Sequence, residues 1–99
     1  MNEGRKQERD GLRRFELRWQ RTWEDRSYDF AAFDGELRVG RIYRHEGGPS
    51  GNKWWWSMTA KIGNRIGTDS GTSDDRDDAC LQVERHFRRF RQMIGEHDR

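Results

Sequence analysis

Residues 28–44 read YDFAAFDGELRVGRIYR. Apolar side chains alternate through Tyr28, Phe30 and Ala32, and again through Leu37, Val39 and Tyr43. Such alternation is what a half-buried strand requires, because successive side chains leave opposite faces. Asp34-Gly35 separates the two runs. An Asp-Gly pair suits a type I′ turn, which needs positive φ at both central residues. The stretch therefore predicts an antiparallel hairpin. Its second strand places Leu37, Val39, Arg41 and Tyr43 toward the core, and Arg38, Gly40, Ile42 and Arg44 outward.

Toward the C-terminus, Glu46 to Asn52 holds three glycines and the single proline, Pro49, and predicts a loop. Trp54 to Ala60 predicts a strand with Trp54, Trp56 and Met58 on one face and Trp55, Ser57 and Thr59 on the other. Gly63-Asn64 predicts a turn, Ile66 the start of a short fifth strand, and Thr68 to Ser73 a second loop. Ser73 then fits an N-cap. Four aspartates among residues 74–78 suit the positive end of a helix dipole. Ala79, Val83, Phe87, Phe90 and Ile94 form one helical stripe, and Gly95 is a natural stop.

Toward the N-terminus, Arg14 to Gln20 fits two readings. Phe15, Leu17 and Trp19 alternate as in a strand, whereas Leu12, Phe15, Trp19 and Trp23 also fit a helical stripe. The alternating strands that follow favour the strand. Residues 1–11 are nearly devoid of apolar content and predict a disordered tail. The organisation expected is one α+β domain over residues 12–95, an antiparallel β-meander of four or five strands covered by one C-terminal α-helix, with a C-terminal tail over 96–99.

Composition constrains how such a domain can hold together. Hydrophobic residues are only 30% of the 99, charged residues 38%, and mean hydropathy is −1.36. Five Trp, five Phe and two Tyr must supply most of the core, each burying about 150–250 Å². Net charge is only +2, so a uniformly basic nucleic-acid binder is not indicated. One cysteine, Cys80, excludes an internal disulfide. With no long apolar run and no secretory signal pattern, the expected location is cytoplasmic, with no membrane partner.

Gly40-Arg41-Ile42-Tyr43, then Trp54-Trp55-Trp56-Ser57-Met58, then Ser70-Gly71 and Arg76 ahead of a helix with Ala79 and Glu84, are the features that carry a resemblance. Over residues 15–90 the chain resembles a group of short, uncharacterised bacterial proteins. The resemblance implies a β-meander followed by a helix, and no activity, cofactor or site residue.

The residues offer little chemistry. His45, His86, His97 and Cys80 lack the paired spacing of a zinc site, and the acidic run lacks the order of a calcium loop. No nucleophile elbow and no phosphate-binding glycine motif occurs. Four aspartates near Cys80 oppose thiolate formation. The expectation leans against an enzyme, with no catalytic residue, no metal and no cofactor.

One surface remains. Arg38, Ile42, Arg44, Trp55 and Lys61 are expected on the outer face of the sheet, with Arg14 and Arg18 beside them. An exposed tryptophan ringed by cations can stack a base and track phosphates, or serve as a protein hot spot. The plain alternative is Trp55 lying across the bare backbone of Gly40, with the arginines paired on a solvated surface. Arg41, on the face assigned to the core, implies either a structural ion pair, with Asp34 or the 74–78 cluster as candidates, or the opposite phase for this strand. The function expected is a small non-enzymatic protein-interaction domain, with a homodimer as one form of it. A nucleic-acid-binding module on the outer face is the alternative.

Overall fold

The computed structural model describes residues 15–23, 28–44 and 53–97, with side chains as far as residue 95. The elements run β1 (Arg18–Arg21), β2 (Asp29–Asp34), β3 (Leu37–Arg44), β4 (Trp54–Ile62), β5 (Arg65–Ser73) and α1 (Arg76–His97). The strands pair antiparallel in chain order, β1-β2-β3-β4-β5. The fold is α+β, an open five-stranded meander with one helix across a single face. No helix among the described residues is long and apolar enough to cross a membrane. The tail expected over 1–11 and the loop over 46–52, with Pro49 and His45, lie outside the described residues.

Local chemistry explains the turns. Gly35 and Gly63 each have φ of 63°, and no described non-glycine residue has positive φ. The residues after them, Glu36 and Asn64, therefore keep negative φ. That is the II′ pattern, with glycine first, rather than the I′ turn expected at Asp34-Gly35. Asp34 instead pairs with Leu37 at the end of the ladder.

β4 buries alternate residues from Trp54 to Ala60, whereas β2 buries four in a row, Asp29 to Ala32, and β3 breaks the alternation. There Ala32 pairs with Gly40 and Phe33 with Arg38, so Val39 is one residue too many. This bulge changes the phase. Arg38 points outward before it, and Val39 is fully buried. Beyond it, Gly40, Ile42 and Arg44 share the helix face with their partners Met58, Trp56 and Trp54. The face assignment beyond Val39 is thereby reversed. Arg41 and Tyr43 stand on the open side. Leu37, expected in the core, is 40% exposed.

The core lies between the sheet and α1. Trp19, Phe30, Val39, Ile42, Trp54, Trp56 and Met58 meet Ala79, Cys80, Val83 and Phe87 there. Glycines on the strands let the two layers approach closely. A Cβ at Gly40 would sit 2.5 Å from Val83 Cγ1, and one at Gly67 would sit 2.5 Å from the Phe90 ring.

The helix starts later and ends later than expected. Asp75 is the cap: its Oδ1 accepts from the Asp78 N–H at 2.7 Å, and its carbonyl accepts from Ala79 N–H at 3.1 Å. Ser73 is the last residue of β5, paired with Trp54. Gly95 lies inside the helix, which continues to His97, because nothing at Gly95 takes the left-handed conformation of a stop.

Candidate functional site

The open face of the sheet separates the expected binding residues. Arg38, Trp55 and Lys61 are exposed on it, Trp55 at 37%. Ile42 and Arg44 are not on it. Ile42 is fully buried under the helix. Arg44 lies on the helix side at the sheet's end, with its guanidinium 4.0 Å from the Tyr28 ring centroid and 5.8 Å from that of Trp54. The cause in both cases is the bulge at Val39. In their place the open face gains Tyr43, directly opposite Trp55 in the ladder, and Arg41, opposite Ser57. Gly40 packs under Val83, so Trp55 and Gly40 lie on opposite faces. Arg18 does reach the open face, but it is engaged. It stacks 4.7 Å from the Phe33 centroid and donates to Gln20 Oε1 and the Gly35 carbonyl.

Arg41 is held in a forked ion pair whose partner is Asp29, on the neighbouring strand, rather than Asp34 or the helix cluster. Nε donates to Oδ1 at 3.0 Å and a terminal nitrogen to Oδ2 at 2.7 Å. The Arg41 guanidinium also lies 4.5 Å from the Tyr43 centroid. Burial alone raises the Asp29 carboxyl. The hydrogen bonds from Arg41 and Thr22, with the charges of Arg41 and Arg38, together outweigh it and hold the group below its ordinary 3.8. A lowered folded-state value means stability that is present above the ordinary value and lost as pH falls through the folded one. Because Arg41 remains 41% exposed, screening trims the gain. Asp29→Asn is expected to lower stability by about 1–2 kcal/mol at neutral pH. Urea titrations of both proteins check this. The gap should close as pH drops below the Asp29 value, and a pH-independent gap would contradict the assignment.

A second region combines shape and charge differently. β5 spans nine residues and forms one edge of the sheet, with no further strand beside it among the described residues. Its ladder with β4 runs unbroken from Trp54↔Ser73 to Ile62↔Arg65, without a bulge. It contains no proline. Between its first half and the last turns of α1 lies a groove of about 660 Å³. Buried Met58 and half-buried Phe90 and Ile94 line it, with Ile66 and Met93 exposed at 67% and 58%. At one end His86 ties helix to strand. Its Nδ1 lies 2.8 Å from the Gln82 carbonyl, its Nε2 lies 3.2 Å from Asp69 Oδ2, and its ring packs 4.8 Å from that of Trp56. Arg65 and Arg89 also line the groove, and neither has a carboxylate partner among the described residues.

The sequence reading missed this region because β5 is RIGTDSGTS, a loop-like composition. One signal was present. Ile66, Thr68, Ser70 and Thr72 alternate with Gly67, Asp69, Gly71 and Ser73, and the two glycines fall where Phe90 and Trp56 press on the strand. No family model, no curated protein and no solved structure matches this chain.

Proposed function

We propose that this chain is a non-enzymatic protein-interaction domain whose β5 edge takes up an extended segment of a protein partner. The observation that carries the reading is a nine-residue edge strand with no proline and no bulge, lying beside an apolar groove, whose one carboxylate, Asp69, is turned onto the Ser70 N–H at 3.0 Å and onto His86. An edge strand presents N–H and C=O groups that a second strand can satisfy, and proteins ordinarily guard such edges with those devices. Strand addition draws affinity from the main chain and selectivity from adjoining pockets. A reducing, cytoplasmic setting belongs with this reading and suits the buried Cys80, which forms no disulfide.

Panning the full chain against phage-displayed random peptides tests it, followed by amide hydrogen exchange of the complexes. Selected peptides are expected to slow exchange along β5 and to leave β1 unchanged. Failure to select any peptide, or protection confined to another surface, would overturn the reading. Sedimentation is expected to show a monomer at micromolar concentration. A dimer with β5 protected would make the partner a second copy of this chain.

A second reading rests on Tyr43 opposite Trp55, with Arg38 and Lys61 exposed farther along the same two strands. That pair could stack bases of single-stranded nucleic acid. It is the weaker reading because Arg18 and Arg41 are already engaged. It predicts salt-sensitive quenching of tryptophan fluorescence by short oligonucleotides, and a loss of about 1–3 kcal/mol in Trp55→Ala. A flat titration would remove it.

A further inference from the structure

We infer that the segment added to β5 is acidic and carries one apolar side chain that seats in the groove between β5 and α1, an inference that rests on strand addition at that edge. In an added strand, alternate side chains fall on the helix side of the sheet. On that side β5 presents Gly67, which has no side chain of its own, and the groove opens beside it. A volume of about 660 Å³ is in the range of small-ligand pockets and accommodates an aliphatic or aromatic side chain. Met58 and Phe90 supply an apolar lining. The exposed thioether of Met93 can reshape around different anchors, as unbranched methionine does.

Charge sets the flanking residues. Arg65 and Arg89 stand at the groove without a carboxylate partner among the described residues. The carboxylate there, Asp69, faces His86 Nε2 at 3.2 Å. Two guanidiniums that no described carboxylate engages, beside an apolar cleft, complement carboxylates, which they can bind in forked geometry. They also repel a segment bearing lysine or arginine beside its anchor, so the same pair selects against basic partners. The recognition element is therefore a short extended run with a Leu-, Ile-, Met- or Phe-like anchor and Asp or Glu next to it.

The peptides recovered from panning test the inference through their composition. Enrichment of an apolar residue flanked by Asp or Glu is expected. Arg65 and Arg89 are both exposed, so the double variant Arg65→Glu/Arg89→Glu should keep the fold, checked by circular dichroism. It is expected to bind the selected peptides about tenfold or more weakly. Panned itself, it should select anchors flanked by Lys or Arg. Peptides that protect β5 but show no acidic bias, or that bind the double variant unchanged, would overturn the inference and leave strand addition standing. Absence of any β5-binding peptide would instead overturn strand addition itself.

Discussion

Glu84→Ala is expected to destabilise the fold by about 3 kcal/mol, with the loss centred on β1. Glu84 is 5% exposed on a helix that otherwise buries apolar groups. One oxygen, Oε2, accepts from the Leu17 backbone N–H at 2.8 Å and from the Trp19 indole N–H at 3.2 Å. Both donors belong to buried residues. Truncation leaves two donors without an acceptor, and each orphan costs about 1–3 kcal/mol. β1 is four residues long and pairs only with β2, so apart from Trp19 in the core these two bonds are what tie it to the helix. Glu84→Gln keeps a carbonyl acceptor and should lose less. Arg88→Ala, which removes a surface pair with Glu16, should change little. Urea unfolding gives the magnitude and exchange at Leu17 and Trp19 the location. Wild-type stability in Glu84→Ala would show that the two bonds are dispensable.

The order of elements was legible because it depends on local alternation and glycine placement. Tyr28 to Arg44 and Trp54 to Ala60 alternate plainly, and the stripe from Ala79 to Phe87 faces the core as expected. The face of each residue was less legible. A bulge cannot be seen in alternation, because Val39 fits the pattern of the residues before it. Its effect is to exchange Ile42 with Arg41 and Arg44 with Tyr43 across the sheet. The pairing Gly40-Arg41-Ile42 held the clue: a lone arginine on a core face beside an outward isoleucine is the costlier assignment. A phase shift within β3 removes that cost, and Asp29 then becomes the natural partner.

The candidate site was less legible than the fold for a related reason. Reading strands by apolar content finds those that bury side chains, and β5 buries little beyond Ser73. An edge strand used for strand addition presents its backbone, so small residues are what its task demands. Those residues also resemble a loop. The groove depends on Phe90 lying over Gly67, a contact 23 positions apart in sequence. No local pattern carries that distance.

Gly40→Val is expected to be the most damaging single substitution on the sheet, costing about 3 kcal/mol or more. A Cβ at this position would meet Val83 Cγ1 at 2.5 Å and the Ser57 carbonyl oxygen at 3.1 Å. Neither neighbour yields easily. Val83 is fully buried and β-branched, with one preferred rotamer in a helix, and Ser57 belongs to the β3–β4 ladder. Gly40→Ala gains about 0.5–1 kcal/mol from a less flexible unfolded chain, but the overlap should exceed that gain. The helix must therefore lift from the sheet. Val83→Ala removes the obstructing methyls, so in a double-mutant cycle with Gly40→Ala the two losses should partly cancel, with a coupling of at least about 1 kcal/mol. Additive losses would mean that the Gly40–Val83 contact does not set the spacing. The spacing also bears on the groove. Val83 and Phe90 are seven residues apart, about two turns along one stripe. Lifting α1 at Gly40 also lifts Phe90 from Gly67. Gly40→Ala should then weaken peptide binding at β5 though position 40 does not itself line the groove, and adding Val83→Ala should restore it.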